Sequence, residues 1–222
     1  MKINQNTPFF SPLKTSQPAR SLETQDRFQP QDVLETIKTS TQLSTGSVSS
    51  FLASAAGTVG LQLACPLMGP AGSILHLVNS DGRFSALLQQ GEETRQLACS
   101  PGEKGDSLMV GLPDGLAVLE SNCFQQPKLT ISAPQLIVTM TFEDGRVGDL
   151  GVHHQADFVG LNRSGRLEVK HGSGPQGFTH RSGNGPITHV SYAGGRLSQR
   201  EATAEEIEIL HQGTLRTIAQ LT

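Results

Sequence analysis

The chain has no tryptophan and a single tyrosine, Tyr192, and aromatic residues make up only 5% of its 222 positions. That scarcity argues against a carbohydrate-stacking platform and against a channel for single-stranded nucleic acid, since both rely on aromatic faces. Excess positive charge is missing as well. The formal net charge is -3 and the pI is near 6.1, so the whole chain carries no cationic footprint for nucleic acid. Cysteine is sparse: Cys65, Cys99 and Cys123 are far apart and form no CxxC pair. This excludes a paired-thiol zinc knuckle or redox motif and reads as small reduced core residues of a cytoplasmic protein.

Two further absences bear on membranes and secretion. The N-terminal "MKINQNTPFF" has no apolar h-region, so no secretory signal is expected there. Residues 39–80 contain no Asp, Glu, Lys or Arg, yet their most apolar part, "FLASAAGTVGLQLAC", is broken by Ser, Thr, Gly and Gln and ends at Pro66. A spanning helix takes about 20 predominantly apolar residues, so this segment reads as buried strand or helix and no membrane span is expected.

What is present begins with a tail. Residues 1–29 hold Pro8, Pro12 and Pro18 among many Ser, Thr and Gln, without periodicity, and read as disordered. Residues 30–222 read as a single β-rich domain with a helix at either end. "PQDVLETIK" puts Pro30 at a first helical position and Val33, Leu34 and Ile37 on one face. At the other end Thr203 and Glu206 form a capping box. Ile207, Leu210, Leu215, Ile218 and Leu221 follow as an amphipathic stripe that Gly213 interrupts.

Between the helices an apolar run, a small or acidic residue plus Gly, and a second short run recur at Gly82, Gly115, Gly145, Gly165 and Gly195. Such dipeptides mark hairpins, because tight turns need positive φ and glycine supplies it. Five hairpins imply about ten strands. The expected fold class is all-β: an antiparallel, hairpin-built sandwich, barrel or rolled sheet with a short N-terminal helix and a C-terminal amphipathic helix.

Gly172, Gly174 and Gly177 spell GxGxxG, but Gly183, Gly185 and Pro186 stand where the fingerprint requires a helix, so the segment reads as a loop. Residues 105–108 read GDSL, the nucleophile block of an esterase family. No Asp lies three residues before any His to complete the relay, and a serine without a positioned base is a poor nucleophile. Arg163, Arg166, Lys170 and Arg181 make residues 163–181 locally basic, and Gly-rich backbone beside them suits a phosphate or carboxylate.

"PQGFTHRSGN", Pro175 to Asn184, has the form PxGxxHxxxN and resembles the second conserved motif of cupins. Gly148 precedes His154 at the spacing of their first motif. Ala156 stands where that motif has a second histidine, and its glutamate has no counterpart. The resemblance implies a divalent metal on the inner face of a small barrel, with His154 and His180 as ligands and His171 or His189 as a third.

Two expectations for function follow. The leading one is a non-enzymatic β-rich interaction or structural module whose partner is a protein rather than nucleic acid. The alternative is a degenerate cupin-like metal-binding enzyme or small-ligand-binding protein using His154 and His180. No motif specifies a cofactor.

Overall fold

A computed structural model describes residues 30–44, 48–63, 72–154, 156–172 and 177–221. The tail assigned to residues 1–29 lies outside them, as does Cys65. Helix α1 (Pro30–Ser40) leads through the short strand β1 (Gln42–Leu43) to helix α2 (Val48–Ala53). Then come β2 (Ala56–Gln62), β3 (Ile74–Ser80), β4 (Arg83–Gln90), β5 (Glu93–Leu97), β6 (Cys99–Pro101), β7 (Ser107–Leu112), β8 (Gly115–Ser121) and β9 (Pro127–Ala133). The chain continues with β10 (Leu136–Glu143), β11 (Arg146–His154), β12 (Asp157–Leu161), β13 (Leu167–Gly172), β14 (Gly177–Ser182), β15 (Thr188–Ala193), β16 (Arg196–Glu201) and helix α3 (Ala204–Ala219).

All sixteen strands belong to one antiparallel sheet, in keeping with the all-β expectation. β5 and β6 are separated only by Ala98, whose carbonyl accepts from Gly111 N at 2.8 Å. The strand therefore turns the corner of a nearly closed barrel that runs from β6 through β10 to β11, and back through β1 to β5. Strand β11 is the fork. One edge pairs with β10; on the other, Arg146 pairs with Gln42 of β1, while Leu150 to His154 pair with β12. From that fork β12 to β16 leave the barrel as an antiparallel extension.

Alternation builds the core. In β3 and β10 every second side chain is buried, the period-2 pattern of a half-buried strand. Leu61, Leu75, Leu108, Leu119, Leu129 and Met140 fill the barrel, and Phe51 of α2 joins the same core. The inner surface continues onto the extension through Val159, Leu161 and Val169, which α1 and α3 cover with Leu34, Ile37, Leu210, Ile218 and Leu221. Among the described residues no helix is long and apolar enough to cross a membrane.

All five expected hairpins are present, as β3–β4, β7–β8, β10–β11, β12–β13 and β15–β16. Gly82, Gly145, Gly165 and Gly195 have positive φ. Gly115 does not, and its reason is different: a Cβ there would overlap the carbonyl oxygen of Ser132. Two other expectations need correction. Leu215 is 52% exposed and lies off the packed stripe of α3. Cys123 is exposed and no core residue, while Cys99 is half-buried and packs against the core from its edge.

Candidate functional site

The two faces of the β12–β16 extension carry different chemistry. Pairing register places His154, Asp157, His171, Thr179, His189 and Arg200 side by side across β11 to β16. This row lies on the face that α3 covers. Adjacent positions in a strand point to opposite faces, so Phe158, Lys170, Phe178, His180, Val190 and Tyr192 form the open face.

Under α3 the row is a set of ion pairs. The Asp157 carboxylate, 2% exposed, is bound by His171 Nδ1 on one oxygen and by an Arg216 Nη group on the other. Gly213 of α3 stands over it; a Cβ there would overlap Asp157 Oδ1. The interruption in the helical stripe is thus the notch that admits a buried carboxylate. His154 is buried beside this pair, and its Nδ1 has no partner among the described residues.

At the far end of the row Glu206 completes the capping box, accepting from Thr203 N at 2.8 Å. It also holds Arg200 through two hydrogen bonds, at 2.8 and 2.6 Å, and faces His189 Nδ1 at 3.2 Å. The Arg200 guanidinium, with the Thr203 amide second, pulls its carboxyl down to about 2. A depressed carboxylate adds stability above its ordinary range and loses it as pH falls toward the folded value. Glu206→Ala is therefore expected to cost about 1 kcal/mol at neutral pH, as for lost helix caps. The gap between variant and wild type should close as thermal unfolding is repeated from pH 5 down to 2.

The open face is mixed, with Phe158, Phe178, Val190 and Tyr192 set among the polar side chains of Glu168, Lys170, His180 and Gln199. The Phe158 ring occupies a trough left by two glycines: a Cβ at Gly151 or Gly160 would sit 2.7 or 2.6 Å from its ring atoms. Lys170 Nζ lies 5.5 Å from the Phe158 ring centre and 5.9 Å from that of Phe178, within cation–π range of both. His153 and His180 flank this ammonium. Partial burial first, and its positive charge second, push both imidazoles below their ordinary value. Farther out Phe178 is 37% exposed, and the cross-strand partners Tyr192 and Leu197 are 58% and 73% exposed.

The structure does not bring the two motif histidines together. His154 is on the helix-covered face and His180 on the open face, next to Lys170. His171 is committed to Asp157, and His189 to Glu206. Among the described residues no group of three or more His, Cys, Asp or Glu could hold a metal ion. Of the GxGxxG glycines, Gly172 ends β13 and Gly177 opens β14, while Gly174 lies outside the described residues; Ser107 of GDSL opens β7 in the β6–β7 hairpin.

The basic cluster also divides. Arg163 is engaged by Asp149 at 3.5 Å, by Glu143 at 3.8 Å and by Gln126. Lys170 points to the open face, while Arg166 and Arg181 meet at the turn around Gly183.

Sequence reasoning missed the open face because it followed the histidines. The available signal was parity: Phe178 and Tyr192 sit on like-facing positions of strands joined by a turn, but only the register reveals it. Compared with family models, curated proteins and solved structures, the chain matches none of them, so the likeness to cupins rests on its motif residues alone.

Proposed function

We propose that this chain is a non-enzymatic interaction module that docks an extended segment of a protein partner, in a cytoplasmic setting, on the open face and outer edge of β14 to β16. The observation that carries the reading is the pair Tyr192 and Leu197, large apolar side chains more than half exposed yet fixed opposite each other in regular strands. Contiguous exposed apolar surface of this kind marks interaction sites.

The edge supports the same reading. Every residue of β16 is exposed, and among the described residues its outer edge has no strand partner. An unpaired edge offers a row of backbone donors and acceptors to an incoming strand. In strand addition those groups supply affinity, while side chains on one face supply specificity. A matching partner segment carries an apolar residue opposite Leu197, long enough to reach Tyr192 on the same face, and polar residues opposite Gln199 and Glu201.

The test is quantitative copurification from the native cell with wild type and the Tyr192→Glu, Leu197→Glu double variant. Both positions are exposed, so stability should change by about 0.5 kcal/mol or less per site. The expected result is a stoichiometric protein partner with wild type and at least a roughly tenfold loss, about 1.4 kcal/mol, with the variant. Equal recovery of every partner by both proteins would count against the proposal.

A further inference from the structure

A second site lies on the helix-covered side, independent of the docking surface. Between the start of α1, the β12–β13 and β14–β15 turns and the middle of α3 there is an open cleft of about 780 Å³. That volume falls in the range of small-molecule sites. We propose that it binds a small phosphorylated ligand, with Arg166 and Arg181 holding the doubly charged phosphate-class oxyanion.

The two guanidiniums reach the cleft from different strand ends. Arg181 pairs in register with Val169, which puts its side chain on the inner face of the sheet. Its Nε donates to the Gly183 carbonyl at 3.0 Å, which fixes the plane of the group. Its Nη groups have no acceptor among the described residues. Arg166 lies against the same turn, its Nε 3.4 Å from where a Cβ on Gly183 would stand. Gly183 itself has φ +56, a conformation glycine adopts without strain, so this turn brings both arginines to one place.

Charge balance makes the cleft distinctive. No Asp or Glu lines its walls, although the Glu35 carboxylate lies beside Gly165 at the rim, and neither Arg166 nor Arg181 has an ion-pair partner among the described residues, while the chain as a whole is acidic. Arg163, three positions away, shows the contrast, being engaged by two carboxylates. Planar guanidinium forks match phosphate oxygens bidentately. Two of them with the Asn184 amide and His211 on the walls provide more donors than one carboxylate can use.

The experiment is calorimetric titration of the full chain with pyrophosphate at fixed ionic strength. Saturable one-to-one binding is expected for wild type. The Arg166→Gln, Arg181→Gln double variant should bind at least about tenfold more weakly, a loss of about 1.4 kcal/mol. Thr214→Glu, on the α3 wall, gives a second arm that leaves the arginines in place. Glutamate is a good helix former, and its charge should also weaken binding by at least about tenfold. Absence of saturable binding to wild type would overturn the proposal, as would unchanged affinity in either folded variant.

Discussion

Gly213→Ala is expected to destabilise the protein by about 2–3 kcal/mol, although the same change inside an ordinary helix stabilises it by about 1 kcal/mol. The sign reverses because the added methyl would occupy the place of Asp157 Oδ1. That carboxylate cannot retreat cheaply. It is buried and holds His171 and Arg216 at once, and breaking such a pair leaves uncompensated charge. Urea unfolding of wild type, Gly213→Ala, Asp157→Ala and the double variant reads the effect. If the clash is the cause, the double variant should be more stable than the sum of the single effects by more than about 1 kcal/mol. A neutral or stabilising Gly213→Ala would mean that α3 does not sit over Asp157.

The second large effect concerns barrel closure. Gly145→Val should cost about 3 kcal/mol, and Gly165→Val only about 1 kcal/mol, though both glycines have positive φ. At Gly145 a Cβ would stand 2.5 Å from the carbonyl oxygen of Leu43, where β1 meets β11 and Leu43 N donates to Gly145 O at 2.8 Å. Backbone cannot yield there without opening the seam. At Gly165 the nearest atom is the end of the Glu35 side chain at 3.2 Å, which can move. Equal costs at the two positions would contradict closure through β1.

Those glycines also mark how far the sequence could be read. The hairpin turns were legible because dipeptides such as Asp144–Gly145 and Gly194–Gly195 carry their own conformational requirement, positive φ at both residues. β5 was not, because it is polar and exposed except at Leu97. Nor was the β8–β9 connection, where Asn122 organises the turn by accepting from the amides of Phe124 and Gln126. Tertiary proximity was out of reach altogether. Gly213 could be recognised as a weak point in a helix, but its cause is Asp157, in a distant strand.

The candidate site followed the same logic. His154 and His180 have motif spacing, but whether they share a face depends on strand register, which local sequence does not encode. The structure gives them opposite faces, His154 beside the buried Asp157 and His180 beside Lys170. The apolar exposure of Tyr192 and Leu197 was likewise hidden, since alternation alone does not say which face of a terminal hairpin a helix will cover.

A protein partner is expected to dock on the open face of β14 to β16. The direct measurement is site-specific photocrosslinking in the native cell, with a benzoylphenylalanine placed in turn at Tyr192, at Leu197 and at Glu208, an exposed position on α3. The result expected is one discrete adduct from positions 192 and 197, the same protein in both, and none from 208. Adducts from all three positions alike, or none from 192 and 197, would contradict it.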